Sequence, residues 1–417
     1  MTNGLFEGYM RTHRVHRPLR GRQPWWRTAV IYEFRGFLDE DGLAAATGYL
    51  PVVKRLGADA VLLRPSYAPV SAFSGFSKSA SALGLRVIVR VSGSAWVGAR
   101  GAEIQSVYAY EEMDPLRRAA SFVACGAQGI DIGHVTLRED SAGGMRAFSE
   151  YLQNCRAELS ALPEDEAVLL AGGSTHSRTH QDLEQLLTDD YVDQVRDDGL
   201  VRVQFGALDI VSVLHTTISN RNSTGAALAW NVTPPALRRY GKNTYESWYG
   251  ADQVRRSRAM NLLGLGLPGC VFIASGDEVD LVDEMVDTNT ALGPQVYTER
   301  IAMAAGLAED AAIDASSTFS LLSRAIARRK ALRLANSSWS WVESEAYPAE
   351  SVLLATSGEL VTILNTGTQP VVASASLFEV ETSATEVRTE HQVLPGACSW
   401  FRFEKDNSDA RVRPLRI

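Results

Sequence analysis

Gly129-Ile130-Asp131-Ile132-Gly133-His134 is the stretch on which the fold turns. Ile130 and Ile132 alternate with Asp131 and Gly133, the two-residue period of a strand whose faces meet different surroundings. One face is apolar enough to lie under helices. The other carries Asp131 and two glycines, as expected of a strand lining a closed barrel and ending at its mouth.

The flanks repeat a strand-helix rhythm. Upstream, strands are expected at 29–32, 58–63 (stopping at Pro65) and 86–91, with helices over 43–56, 73–83 and 115–125. Downstream, helices are expected over 145–162, 182–187 and 253–265, and strands at 167–171, 201–205, 226–230 and 270–274. Eight such units predict parallel strands with crossover helices, an α/β fold closed as a (β/α)8 TIM barrel over residues 23–335. A last helix over 319–332 closes it. After Ser340 short alternating runs separated by Ser357-Gly358 and Pro395-Gly396 predict a small C-terminal antiparallel β domain, a sandwich over 340–405, with a tail at 406–417. Residues 1–22 carry Arg11, His13, Arg14, His16, Arg17, Arg20 and Arg22 with little apolar content and are expected as a surface arm.

Composition narrows the function. The 417 residues are 45% hydrophobic and 22% charged, with a formal net charge of −8. That balance offers no basic field for a phosphate backbone, so nucleic acid is excluded as a partner. No apolar run reaches the ~18–20 residues of a membrane span, and the basic start has no apolar core of a secretory signal. Cys125, Cys155, Cys270 and Cys398 are scattered without a CxxC pattern and are expected as reduced, packed cysteines of a cytoplasmic protein.

Several segments resemble the α-amylase family, glycoside hydrolase family 13, and most closely its oligo-glucosidase and trehalose-synthase branch. Trp25-Trp26-Arg27-Thr28-Ala29-Val30-Ile31-Tyr32 resembles the opening of that branch. Leu56-Gly57-Ala58-Asp59-Ala60-Val61 is similar to its second-strand motif, and Leu83-Gly84-Leu85-Arg86-Val87-Ile88 to the entry into strand three. Leu267-Pro268-Gly269 followed by Gly276-Asp277-Glu278 is similar to the eighth-strand region. The segments run in order over residues 24–404.

The resemblance implies a retaining glycosidase mechanism, with a nucleophile and an acid/base carboxylate ~5–5.5 Å apart and a third carboxylate on the sugar hydroxyls. The positions that match these roles hold none of them. The nucleophile position, at the end of Gly129-Ile130-Asp131-Ile132-Gly133, is Gly133. The acid/base position, in Leu170-Ala171-Gly172-Gly173, is Gly173. At strand seven Asn231-Val232-Thr233 keeps the asparagine and puts Thr233 at the third carboxylate. At strand three Arg90-Val91-Ser92-Gly93-Ser94-Ala95 keeps nothing of the family pattern, and only 92–112 stands where the family inserts a wall of its cleft. Loss of the nucleophile alone typically costs on the order of four decades in rate. The expectation is therefore a non-catalytic pseudoenzyme without cofactor.

The remaining residues of interest form a vestigial site of Arg64, Tyr67, Arg90, Trp96, Asp131, His134, His176 and Asn231. Arg90 and Asp131 exchange the signs that the family carries on strands three and four. As neighbours they would form an ion pair inside the barrel top, or else both face solvent. Asp131 as a relocated nucleophile would lie ~6–7 Å below the Gly133 position, with no carboxylate partner. His176 and His180 have helical metal-pair spacing but no ordered acid or cysteine beside them, and His134 and His215 are isolated, so no metal is expected. Asp39-Glu40-Asp41-Gly42 lacks full calcium-loop spacing and is expected as an acidic turn. Gly172-Gly173-Ser174-Thr175 lacks the ending of a P-loop. Tyr67 and Trp96 are the aromatic residues placed to meet a sugar ring.

Three functions remain: a binding or regulatory partner in α-glucan or trehalose metabolism, an enzyme with repurposed chemistry at the barrel mouth, and a plain sugar-binding protein. The partner is expected to be an active glycosidase-like paralogue, or a second copy of the chain, with a weak sugar as ligand.

Overall fold

The computed structural model describes residues 10–17, 21–65, 68–91, 94–98, 101–105, 115–137, 142–160, 162–163, 166–173, 187, 192–233, 253–281, 294–386, 388–389 and 391–403. Its centre is a ring of parallel strands: β2 (Val30–Glu33), β3 (Ala60–Leu63), β4 (Arg86–Arg90), β7 (Gly129–Leu137), β8 (Val168–Gly173), β9 (Gln194–Arg196), β10 (Ala229–Asn231) and β11 (Cys270–Ala274). Each pairs with the next and β11 pairs back onto β2. Between β9 and β10 the ring closes through one parallel bridge, Asp197 to Trp230. This is the expected amylase-like (β/α)8 barrel, followed by the expected C-terminal β domain.

Alternation decides what each strand buries. Ile31, Ala60, Leu62, Ile88, Val168, Leu170, Ala229 and Phe272 fill the barrel with Trp26, while their neighbours Val30, Val61, Val89, Ile130, Ile132 and Leu169 pack outward under the helices. The bore is tight at Gly129, where a Cβ would come within 2.8 Å of Val168 Cγ1.

The helices outside are α1 (Glu40–Leu56), α2 (Val70–Ala82), α3 (Pro115–Ala124), α4 (Ala142–Leu159), α5 (Gly199–Arg202), α6 (Ala207–Thr224), α7 (Gln253–Gly266), α8 (Pro294–Ile313) and α9 (Thr318–Ala331). Asp39 starts α1 by accepting the Gly42 amide at 2.8 Å, so the acidic turn is a helix cap. The closing helix α9 is held by Arg329, whose buried guanidinium donates to the carbonyls of Leu265, Leu267 and Gly269.

Two expectations are corrected. The sixth strand is Gln194–Arg196, and the 201–205 run begins inside the short helix α5 instead. Gln194 and Arg196 face inward at 0% and 1% exposure, so polar letters hide a buried strand. The Gly199 amide donates to Asp197 Oδ1 at 2.6 Å, turning the chain into α5 before the alternating letters arrive. The seventh strand falls at Ala229–Asn231 rather than 226–230. The helix expected over 182–187 lies outside the described residues except for Leu187.

Between β4 and α3 the chain forms a hairpin of β5 (Ser94–Gly98) and β6 (Gly101–Gln105). β5 runs parallel to the outer half of β7, pairing Ser94 with His134 and Val97 with Leu137. β7 therefore lines the barrel with its first residues and builds a wall with its last.

The C-terminal domain is a six-stranded antiparallel sheet in the order β1 (Met10–His16), β12 (Trp339–Ser344), β13 (Val352–Ser357), β14 (Leu360–Asn365), β18 (Cys398–Phe403) and β16 (Leu377–Thr382), with a small pair of β15 (Val371–Val372) and β17 (Gln392–Val393). Its outermost strand, β1 (Met10–His16), comes from the basic N-terminal stretch and lies against β12 (Trp339–Ser344). His13 stacks on Trp341 with ring centroids 4.1 Å apart, and buried His16 meets Asn222 of α6 through Nδ1 at 2.8 Å. Ser357 ties β13 (Val352–Ser357) to the carbonyl of Gly266 in the barrel at 2.7 Å.

Candidate functional site: the barrel mouth

The strand ends deliver charge into the barrel top. Arg90, the last residue of β4, donates from Nε to Asp131 Oδ2 at 2.8 Å and places Nη2 2.8 Å from Glu33 Oε1. The ion pair expected between Arg90 and Asp131 is present, and it belongs to a larger set. Arg196 Nη1 lies 2.8 Å from the same Asp131 oxygen and 3.8 Å from Glu33 Oε2. Two acids and two bases thus cap the apolar bore, and Arg196 lies 5.3 Å from the centroid of Phe272 just beneath.

The electrostatics follow from this cross-bracing. Burial alone would push the Asp131 carboxyl up; Arg196 and Arg90 outweigh it and hold Asp131 at about 2. Burial is likewise outweighed at Glu33, which Arg90 and Arg196 keep below the ordinary glutamate range. Arg90 gains in return: against burial, Asp131 and Glu33 raise its pKa further. Asp131, Glu33 and Arg90 thus stay ionised at neutral pH.

Both oxygens of Asp131 are engaged. Oδ2 takes both guanidiniums, and Oδ1 accepts the backbone N–H of Gly133 at 2.9 Å. That contact bends β7. Gly133 has φ +74°, and the pairing with β8 slips between Asp131 and His134. The backbone at Gly133 is thus a left-handed bulge that favours glycine. Gly173 is the last residue of β8, paired with Val135.

Thr233 is buried and donates its hydroxyl to Asp277 Oδ2. Asp277 also takes Arg35 at 2.9 Å and Asn261 at 3.4 Å. Asn231 donates to Asp198 Oδ1 at 2.6 Å, and Asp197 accepts Gly199 N and Thr217 Oγ1. The carboxylates of Glu33, Asp131, Asp197, Asp198 and Asp277 are all engaged at the strand ends.

Of the other expected site residues, Arg64 is buried with its guanidinium 4.1 Å over the ring of Phe37, turned toward α1's entry rather than the ionic layer. His134 and Trp96 lie on the outer wall of β7 and β5, two rungs apart in the pairing. His215 is exposed on α6, away from the mouth. Tyr67, His176 and His180 lie outside the described residues. Among the described residues no cluster of His, Cys, Asp and Glu could hold a metal ion.

Three contributors escape a sequence reading of the mouth. Glu33 closes a short apolar run, Arg196 sits on the unrecognised sixth strand, and Glu278 follows Asp277 in the Gly276-Asp277-Glu278 turn. Glu278 is fully buried, accepts the hydroxyls of Tyr32 and Tyr49 at 2.7 and 2.6 Å, and takes the Gly276 amide at 2.9 Å. Burial raises its pKa against these donors. A narrow cleft beside it is lined by Tyr32, Arg35, Tyr49, Ser275, Tyr297 and Arg300.

No protein-family model and no curated protein sequence matches the chain. Solved structures do. AmyP in complex with maltose superposes with a TM-score of 0.60 at 11% identity, covering 92% of this chain and 98% of that one. The cyclic α-maltosyl-(1→6)-maltose hydrolase from Arthrobacter globiformis gives 0.56 at 12%, covering 90% and 99%. An α-amylase from Lactobacillus plantarum gives 0.54 at 12%, covering 92% and 100%. At these identities the likeness is one of fold: the neighbours include α-amylase family enzymes, and the chain shares their barrel and β domain.

Proposed function

We propose that the chain is a catalytically degenerate relative of the α-amylase family, of the oligo-glucosidase and trehalose-synthase type. It acts as a binding or regulatory partner in α-glucan or trehalose metabolism, complexed with an active paralogue. One observation supports this: Asp131, the inward carboxylate closest in sequence to Gly133, is bonded to Arg90, Arg196 and the Gly133 amide, and the sequence resemblance puts Gly133, Gly173 and Thr233 at the three catalytic positions. A retaining mechanism needs two carboxylates flanking the bond, one able to attack and one able to give a proton. The scaffold around the loss is intact, as expected of a chain kept for what it holds rather than for what it cuts.

Among the described residues no helix is long and apolar enough to cross a membrane, in keeping with a partner working beside a soluble enzyme. The decisive experiment is an assay of the purified chain on nitrophenyl α-glucoside, maltotriose and trehalose. No turnover is expected, alone or after Asp131→Asn. Turnover that Asp131→Asn abolishes would establish the repurposed-enzyme alternative, and millimolar or tighter maltose binding without turnover the sugar-binding one.

A further inference from the structure

The outer ridge of α1 and α8 is the surface the fold leaves unexplained. The two helices run side by side in the same direction: Gly42 at the start of α1 lies against Thr298, and Arg55 at its end reaches Glu309 at 3.4 Å. Midway along, α8 exposes Met303 at 58% and Leu307 at 48%, and Ile313 at its end at 85%. Among the described residues, half of the exposed large apolar side chains sit on this one helix.

Beside them stand two glycines that the chain itself does not need. Gly48 in α1 and Gly306 in α8 are exposed, helical and free of any neighbour within 4 Å of an added Cβ. Glycine inside a helix costs stability relative to every residue but proline. At Gly264 tight packing explains such a residue, since a Cβ would meet Val232 at 2.5 Å, whereas Gly75 in α2 is as open as these two but stands alone on its helix. What sets 48 and 306 apart is their place beside the exposed apolar side chains of α8, where an approaching surface could use the close contact that glycine allows.

The charge around the ridge says what that something is. Glu40, Asp41, Glu299, Glu309 and Asp310 are exposed along it, against Lys54 and Arg55. A second copy docked through the same face would set acid against acid, which costs affinity and slows encounter. We propose that this ridge is where the chain holds its protein partner, and that the partner presents an apolar helix flanked by lysine or arginine. The proposal rests on the partner function above and names the surface and chemistry of that contact.

The test places a photoreactive benzoylphenylalanine at Met303 of the full chain, and separately at Val372, exposed on the C-terminal domain. Each is irradiated in soluble extract of the cells that make the protein, and the adducts are mapped by mass spectrometry. Support is an adduct from position 303 to a different protein at a helical peptide rich in lysine or arginine. Its yield should fall at least tenfold with Glu299→Lys and Asp310→Lys together, and as far with Gly306→Arg. Gly306→Arg should also leave the melting temperature unchanged or higher, since open space surrounds that site.

Adducts only between copies of this chain, or to peptides without basic residues, overturn the proposal. Adducts from 372 and not from 303 overturn the surface while the partner function stands. No adduct from either position, in a chain that turns over a glucoside, overturns both.

Discussion

Arg90 from the adjacent β4 and Arg196 from β9, one strand beyond β8, approach one oxygen of Asp131, each at 2.8 Å. A single carboxylate oxygen therefore braces β4, β7 and β9 across the barrel top. With Glu33 at the far side of both guanidiniums, the layer is neutral as a set and intolerant of losing one member.

Replacing Asp131 with asparagine leaves two guanidiniums facing one carboxylate in a dry layer. Breaking a buried ion pair from one side typically costs about 3–5 kcal/mol. Urea denaturation of Asp131→Asn should show a loss of that order, whereas Lys330→Gln, which breaks the exposed pair with Asp59, should lose less than about 1 kcal/mol. Equal losses would mean that the layer is not cross-braced.

The same layer sets acid stability. Asp131 and Glu33 have folded pKa values below their ordinary ones, so their contribution is complete above the unfolded values. It is lost as pH falls from there toward the folded value, about 2 for Asp131. Stability of the wild type should decline steeply over that acid window. A variant with Asp131→Asn and Arg196→Met together should show a shallower decline when melting temperature is followed against pH.

Glu278 has the opposite sign. Its folded pKa is raised, so it favours the fold below its unfolded pKa and loses that contribution as pH rises through the folded value. Glu278→Gln, which still accepts the hydroxyls of Tyr32 and Tyr49, should gain stability relative to wild type as pH rises from 4 toward 8. A constant difference across that range would contradict the assignment.

His16 makes the N-terminal strand sensitive to mild acid. Burial lowers its folded pKa, with the Asn222 contact opposing. Its contribution is therefore complete above the ordinary histidine value and lost as pH falls below it. Protease cleavage within Met10–His16 should accelerate between pH 7 and 5, and His16→Gln should remove that acceleration.

Restoring letters should not restore chemistry. A side chain at Gly133 meets a backbone with φ +74°, a conformation that costs roughly 1–2 kcal/mol for L-residues. Gly133→Asp combined with Gly173→Glu and Thr233→Asp should show no more turnover of nitrophenyl α-glucoside than the parent chain. Gly133→Val should destabilise more than Gly133→Asn, because asparagine tolerates the left-handed region better.

The sequence made the barrel legible because its apolar strands obey the two-residue period on both faces, as Ile88 inward and Val89 outward do. It made the Arg90–Asp131 pair legible because their signs are exchanged on adjacent strands. Glu33 and Arg196 stayed hidden for one physical reason. A buried charge looks like a surface charge in sequence, and only the register of the strands tells them apart. At β9 the inward letters are Gln194 and Arg196, while 201–205 alternates better and yet begins in a helix, since periodicity weighs apolar burial and cannot see a salt-bridged interior. The bulge at Gly133 was equally invisible, as a positive φ leaves no mark beyond the glycine itself.

The closure of the ring has a consequence for how the molecule comes apart. Seven junctions of the barrel are ladders, but among the described residues the eighth is joined through the backbone only at Asp197, whose amide donates to Ala229 and whose carbonyl accepts from Asn231, with the Asn231–Asp198 side-chain bond beside it. A cask with one thin stave opens along that stave. Thermal breathing should part the wall between β9 and β10 first, and hydrogen exchange should reach the amide of Asn231 well before that of Ile88 on the opposite side. The seam runs beside Arg196, so the residue that braces the mouth is also the one whose release lets the staves spread.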